Sequence, residues 1–340
     1  MFIVNSYALA VVLCFVTMLC WGSWGNTQKL AAKSWRYELF YWDYVIGMVI
    51  FALLLAFTAG SIGSEGRPFI ADIQQASWSS ILWILLGGLI FNASNILLSA
   101  STSIAGMSVA FPLGVGLALV LGVVNNYIVA LQQGAKTGNV LLLIIGVALV
   151  VCAIVFNGIA AGRNGGSGVS AADQRKGIVL ALVAGVVMSF FSSFVMRAMD
   201  TGNFVSPAPG KVTPYTAIVV FTVGVLLSNL VFNTLVMRKP FVGSPVSYGQ
   251  YFSGDAKTHL VGMLGGAVWC LGTALSYITA EKAGPAVSYA LGQGAPMVAA
   301  IWGVFIWKEF KGAKKGVYGL LAAMFCFFVA GLATIVIAGN

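Results

Sequence analysis

Charge is what this sequence has least of. Only 8% of its 340 residues are Asp, Glu, Lys or Arg, against roughly 25% in an average soluble domain, while 59% are hydrophobic. A soluble protein of this size needs far more polar surface, so a soluble globular fold is excluded. The chain has a single histidine, His259, read as a residue at the boundary of an apolar run. Its five cysteines (Cys14, Cys20, Cys152, Cys270 and Cys326) lie inside apolar runs without metal-ligand spacing. They read as small core residues, not as a disulfide framework or a metal site. No nucleophile–base arrangement or metal cluster is present, and the Gly-rich stretch near 163–168 lacks the G-K-[ST] of a phosphate loop. Nothing here calls for an enzyme or a cofactor. The net charge of +9 is scattered through short gaps, whereas a nucleic-acid binder gathers its basic residues on one face; no nucleic-acid partner is expected. The N-terminus lacks a basic n-region and a clear cleavage site, so the first apolar run reads as a retained span.

What the chain does have is long apolar runs. Ten can be counted, near 6–25, 38–60, 80–100, 105–130, 139–160, 177–197, 214–236, 259–280, 284–307 and 316–338. Each can cross the hydrocarbon of a bilayer, which takes about 20 residues, and a helix satisfies its own backbone hydrogen bonds there. Thirteen of the 18 Lys and Arg residues fall in gaps that are cytoplasmic if the N-terminus is outside. The positive-inside rule therefore predicts both termini outside, which in a bacterial inner membrane means periplasmic.

An internal repeat is visible. Leu86-Gly87-Gly88 recurs as Leu264-Gly265-Gly266, an offset of 178, and Ala105-Gly106, Gly114 and Gly116 match Ala283-Gly284, Gly292 and Gly294 at that same offset. Ten spans then divide into five plus five: residues 1–160, a Gly-rich cytoplasmic linker at 161–176, and residues 177–340. Because five is odd, the second half enters the membrane inverted. The predicted fold is thus an all-α membrane protein of ten transmembrane helices in a five-plus-five inverted repeat. Many secondary transporters alternate access about a midplane site in this way.

The candidate functional residues concentrate between Cys20 and Tyr44. Asp43 lies about 10 Å inside the second span if that span begins near Tyr37, at 1.5 Å per residue. A carboxylate there is costly unless paired, hydrated or protonated, so it reads either as a proton-coupling acid or as a structural partner of Lys29, Lys33 or Arg36. Glu38, nearer water, is the second proton-coupling candidate. Trp21 and Trp24 share a helix face. With Tyr41 and Tyr44 they can stack on a flat ring or form an interfacial belt. Gly22 and Gly25 permit close approach. Asn26 either caps a helix end or binds substrate. Asn92 and Asn95 share a face of the third span; Asn229 and Asn233 on the seventh read as interhelical glue. Gln293 precedes Gly294 and Pro296, where a broken helix can expose polar groups.

These motifs together resemble the ureide permease family of the drug/metabolite transporter superfamily. The likeness is carried by W-G-S-W at 21–24, Y-W-D-Y at 41–44, the glycine pair and Asn95 of span 3, G-M-S-V at 106–109, N-Y at 126–127, Y-T-A at 215–217, Q-G-A-P at 293–296 and W-G-V at 302–304. The short central loop looks like that of a bacterial member. The resemblance implies the ten-helix inverted repeat of the drug/metabolite transporter fold and proton-coupled uptake of ureides or nucleobase-like heterocycles such as allantoin and uracil. By motif position it points to Trp24, Asp43, Tyr44, Asn95, Tyr215 and Gln293. The expected partners are a small-molecule substrate, protons and the lipid bilayer. A sugar is the alternative substrate; a multidrug exporter and a scaffold that moves nothing are readings of other classes. Oligomeric state is not readable.

Overall fold

The computed structural model describes every residue except 33–34, 136, 164–169, 309 and 314, and describes the backbone alone at 107–109, 112, 161, 171 and 315. Lys33, Lys136, Lys314 and residues 164–169 of the Gly-rich linker therefore lie outside the described residues. The rest is helical: α1 Tyr7–Ala31, α2 Tyr37–Phe57, α3 Phe69–Gln75, α4 Trp78–Ala105, α5 Met107–Gln133, α6 Val140–Arg163, α7 Ala171–Ala198, α8 Pro214–Arg238, α9 Tyr248–Phe252, α10 Ala256–Ala283, α11 Pro285–Gly292, α12 Ala295–Ile301 and α13 Lys315–Gly339. Among the described residues no strand forms beyond one isolated bridge, Met199 with Val212. Ten segments are long and apolar enough to cross a membrane, and the chain is a multi-pass membrane protein.

Local chemistry sets the helix starts. Ser6, Ser77 and Ser170 accept hydrogen bonds from the amides of Leu9, Ser80 and Asp173, and Asp255 accepts from Thr258, as N-caps do. Pro214 and Pro285 open α8 and α11, where a missing N–H is harmless. The α4–α5 and α10–α11 corners turn on single glycines. Gly106 has φ 83° and ψ 156°, and Gly284 has φ 80° and ψ 146°. That region of backbone space is essentially open only to glycine.

The ninth apolar run is not one helix. It breaks after α11 at Gln293-Gly294, resumes as α12, and widens into a π-type turn over Trp302–Ile306. Two indole N–H groups brace this irregular stretch against α1, with Trp302 donating to Ser23 Oγ at 3.0 Å and Trp307 to Asn26 Oδ1 at 2.6 Å.

Packing runs across the two halves of the sequence. α1 and α2 pack on α10, while α7 and α8 pack on α4; α6 and α13 form an outlying pair. Glycines let the crossing backbones touch. A Cβ at Gly266 would overlap the Tyr44 carbonyl oxygen, and one at Gly88 would overlap that of Phe221. Small residues serve this purpose where lipid supplies no hydrophobic drive to pair helices. The end of the bundle bearing the α1–α2, α8–α10 and α12–α13 connections carries most of the Lys and Arg and is called the basic end below.

Candidate functional site

Four predicted residues converge on one cavity at the middle of the bundle. Trp21 and Trp24 come from α1, Asn95 from α4 and Gln293 from the α11–α12 break; Phe91, Phe111, Phe191 and Trp269 complete the aromatic lining. Trp21 reaches it because Gly272 and Gly292 leave room for its ring. Its indole stacks on Trp269 with centroids 6.2 Å apart, and its N–H donates to Thr273 Oγ1 at 3.1 Å. Trp269 in turn lies 4.1 Å from Phe91. Behind Trp24 stands Tyr44, at 5.1 Å, and Tyr44 stacks on Tyr41 at 5.4 Å. Asn95 Nδ2 donates to the Tyr41 hydroxyl at 3.1 Å. Tyr41 and Tyr44 are thus a layer behind the cavity wall.

The cavity is small, at about 40 Å³. At roughly 10–15 Å³ per enclosed water it holds about three waters and no heterocycle. Its rings must move aside before a flat solute can enter. Apart from indole N–H groups, its polar side chains are the carboxamides of Asn95 and Gln293, which donate and accept without charge.

Asp43 is elsewhere. It is 1% exposed and sits toward the basic end, outside the residues that line the cavity. Neither Lys29 nor Arg36 neutralises it. The Tyr251 hydroxyl of α9 donates to Asp43 Oδ1 at 2.6 Å, and His259 Nδ1 of α10 lies 2.8 Å from the same oxygen. The Trp35 indole N–H, otherwise unpartnered, approaches the carboxylate, and its ring stands edge-on to His259 at 5.2 Å. Asp43 Oδ2 is buried with no partner. Burial, and secondarily the facing carboxylate, pushes the Tyr251 hydroxyl well above the usual phenol range, so it remains a donor. Gly262 makes this approach possible, since a Cβ there would overlap that of Asp43. His259, read from sequence as a boundary residue, does lie in the first turn of α10, but it also faces a carboxylate across the interface.

The remaining candidates are dispersed. Glu38 is fully buried and held by the Arg36 guanidinium, which also donates to the carbonyls of Ser244 and Val242. Arg36 is therefore occupied by Glu38 and not by Asp43. Asn26 is taken by Trp307 and by the Ser23 carbonyl. Asn92 Nδ2 donates to Ser228 Oγ at 3.0 Å between α4 and α8. Tyr215 lies at the opposite end of the bundle, where its hydroxyl donates to the Phe2 carbonyl at 3.0 Å.

Sequence reasoning did not single out Phe91, Phe191 or Trp269, because an aromatic ring in an apolar span carries no mark of facing inward. The repeat held part of the signal, since Phe91 and Trp269 are 178 residues apart.

A family model, that of ureide permeases, matches residues 40–168 and 167–338. Among curated relatives, ureide permease 1 of Arabidopsis thaliana is 22% identical, with 98% of this chain and 98% of its own covered. Ureide permease 2 of that plant matches at the same identity and coverage. Probable ureide permease A3 of Vigna unguiculata is 22% identical over 93% of this chain and 99% of its own. A solved crystal structure, described only as that of a protein, aligns over 96% of both chains with a TM-score of 0.57 and 17% identity; that likeness concerns the fold alone.

Proposed function

The chain belongs to the ureide permease family, a family of transporters and not enzymes, and from that premise we propose that it carries a ureide or nucleobase-like heterocycle into the cell with protons. The observation that carries this reading is the central cavity, where stacked indoles and phenyl rings meet the two carboxamides Asn95 and Gln293. A flat heterocycle offers faces to stack, and its ring amides pair with a donor–acceptor side chain.

The inverted repeat supplies the motion. Three pairs at the 178-residue offset support it. Gly106 and Gly284 share one glycine-only backbone conformation; Phe91 and Trp269 touch; Val115 and Gln293 both line the cavity. Residues related by a twofold axis meet only close to that axis, so the contact favours an axis through the cavity, as alternating access requires. The basic end faces the cytoplasm by the positive-inside rule, in a bacterial inner membrane with both termini periplasmic. Asp43 is the proton-coupling acid. Its support is a buried carboxylate whose partners are a hydroxyl and an imidazole and whose second oxygen has no hydrogen-bond partner. Glu38, already paired with Arg36, orders the connection behind it.

Two rivals lose ground on specific features. Exporters of cationic drugs need an acid in the aromatic pocket, and among the described lining residues there is none. A scaffold needs no cavity at Trp24, Asn95 and Gln293. The test is uptake of radiolabelled allantoin and uracil into proteoliposomes with and without an inward proton gradient, with hexoses as the competing arm. Gradient-driven accumulation of a heterocycle supports the proposal. Equal uptake without the gradient removes the proton role, and transport of hexoses alone transfers the reading to sugars.

A further inference from the structure

We infer that a buried row of carboxamides on α8, Asn229 and Asn233 with Asn92 facing them from α4, is a second polar site that the neutral heterocycle crosses between the central cavity and the basic end. The inference rests on the transport reading above.

The starting point is Asn229. It is fully buried, and neither its amide nitrogen nor its oxygen has a partner. Asn92 and Asn233, equally buried, each use the nitrogen and leave the oxygen empty; Asn92 donates to Ser228 Oγ and Asn233 to the Glu38 carbonyl at 2.8 Å. An amide serving as glue between helices uses its polar atoms, because lipid offers no substitute. Three amides with four unpartnered polar atoms, where α8 meets α2 and α4, are not accounted for by the packing seen here. They are accounted for if the interface has another state, in which water or solute fills them.

Their placement gives the direction. Asn233 is level with Glu38 near the start of α2. Asn229, four residues back on the same face of α8, is about 6 Å deeper at 1.5 Å per residue. Asn92, bonded to the neighbouring Ser228, is at that inner level too. On α2, Tyr41 is one turn deeper than Glu38 and carries the hydrogen bond from Asn95, a cavity residue. The row thus begins beside the cavity and ends at the Glu38–Arg36 pair. Helices α2 and α4 belong to one half of the chain and α8 to the other, so the row lies on a seam between halves. The α4–α8 backbones meet at Gly88 and Gly224, away from the basic end. That crossing can act as a pivot about which the basic ends of α2 and α8 separate.

The chemistry specifies the class of solute. Amides are uncharged and offer a donor beside an acceptor, so a row of them suits a ureide's N–H and C=O groups. Several equivalent weak sites also let a solute leave as easily as it enters.

Cysteine accessibility in membrane vesicles tests this. Asn229→Cys and Asn233→Cys are made in a chain with Cys152 and Cys326 replaced by Ala, alongside Asn95→Cys as cavity reference and Leu230→Cys, whose side chain is 54% exposed on the bundle surface. A membrane-impermeant quaternary-ammonium methanethiosulfonate is applied from either face, with and without allantoin. The row predicts labelling of N229C and N233C from the basic end only, loss of that labelling with allantoin, and no labelling of L230C. If N95C is labelled and protected while N229C and N233C stay inert, the row is wrong and the transport reading stands. Labelling of the row without protection, when N95C is protected, also overturns it as a solute path. If allantoin protects none of them, the ureide reading fails, and the row stands or falls on labelling alone. Should N229C not reach the membrane, N233C carries the decision.

Discussion

The two ends of the bundle are each tied by a short helix that reaches across to the other half, but with different chemistry. At the end opposite the basic one, α3 sends Asp72 into the start of α8. There the carboxylate accepts from the Thr213 amide at 2.8 Å and hydroxyl at 2.9 Å and pairs with Arg67 at 3.3 Å. Gln75 adds bonds to the Gly210 amide and the Lys211 carbonyl. At the basic end, α9 sends Tyr251 to Asp43 on α2, and His259 joins it. One tie meets its carboxylate with a backbone N–H, a hydroxyl and a guanidinium, and the guanidinium keeps its charge at any working pH. The other uses a hydroxyl and an imidazole, with no guanidinium or ammonium on the carboxylate. Burial pushes the Asp72 carboxyl up, while Thr216, Thr213 and Arg67 draw it back. The first tie is built to stay; on the transport reading proposed above, the second is the one that responds.

The contrast is broken most directly at its rigid side. Asp72→Ala strips two donors of Thr213 and the counter-charge of Arg67 at once. Removing one partner of a buried pair typically costs about 3–5 kcal/mol, and here the lower figure applies because Arg67 keeps some contact with water. Thermal unfolding in detergent should show it, and a loss under about 1 kcal/mol, the scale of an exposed pair, would contradict a fixed tie.

The corresponding change at the responsive side should spare the fold. Asp43→Asn keeps the shape and the contacts of Tyr251 and His259, so the stability loss stays within about 1 kcal/mol, the net worth of one hydrogen bond. Gradient-driven accumulation disappears while substrate exchange persists. Unchanged accumulation would make Asp43 a structural residue like Asp72. His259→Gln is milder. Glutamine can still donate to Asp43 from its side-chain amide, so the stability loss stays within about 1 kcal/mol, and gradient-driven accumulation falls while remaining measurable. Accumulation equal to that of the unaltered protein would remove His259 from the responsive end.

The scaffold around these ties was legible in the sequence because hydrophobic length is a one-dimensional signal. The ten runs reappear as ten membrane-crossing segments, and Asp43 falls six residues inside α2, as a start at Tyr37 requires. Gln293-Gly294-Pro296 marked the helix break for a local reason, lost backbone hydrogen bonding. The ties themselves were not legible. Asp43 and His259 are 216 residues apart and Asp72 and Thr213 141, and nothing local in either stretch names its partner. Helix α3 went unread because seven residues between two spans look like any polar loop. Trp21, Trp24, Asn95 and Gln293 could be selected by type, yet Asn26 and Tyr215 fit the same description and lie elsewhere. Residue type restricts what a side chain can bind; only the crossing of distant helices decides which side chains share a space.

Tyr215 gives the mildest and most selective test of that last point. It was singled out beside Trp24 and Asn95 by motif position, but its hydroxyl donates to the Phe2 carbonyl at the end of the bundle that Asp72 secures. If it belongs to the fixed tie, Tyr215→Phe removes one hydrogen bond and nothing from the cavity. The expected loss is about 1 kcal/mol of stability, with the substrate KM unchanged. Trp24→Ala provides the opposite pattern, because it empties part of the cavity wall and should raise KM. A rise in KM for Tyr215→Phe comparable to that for Trp24→Ala would place the tyrosine on the transport path after all, and would mean that the end secured by Asp72 opens to admit substrate.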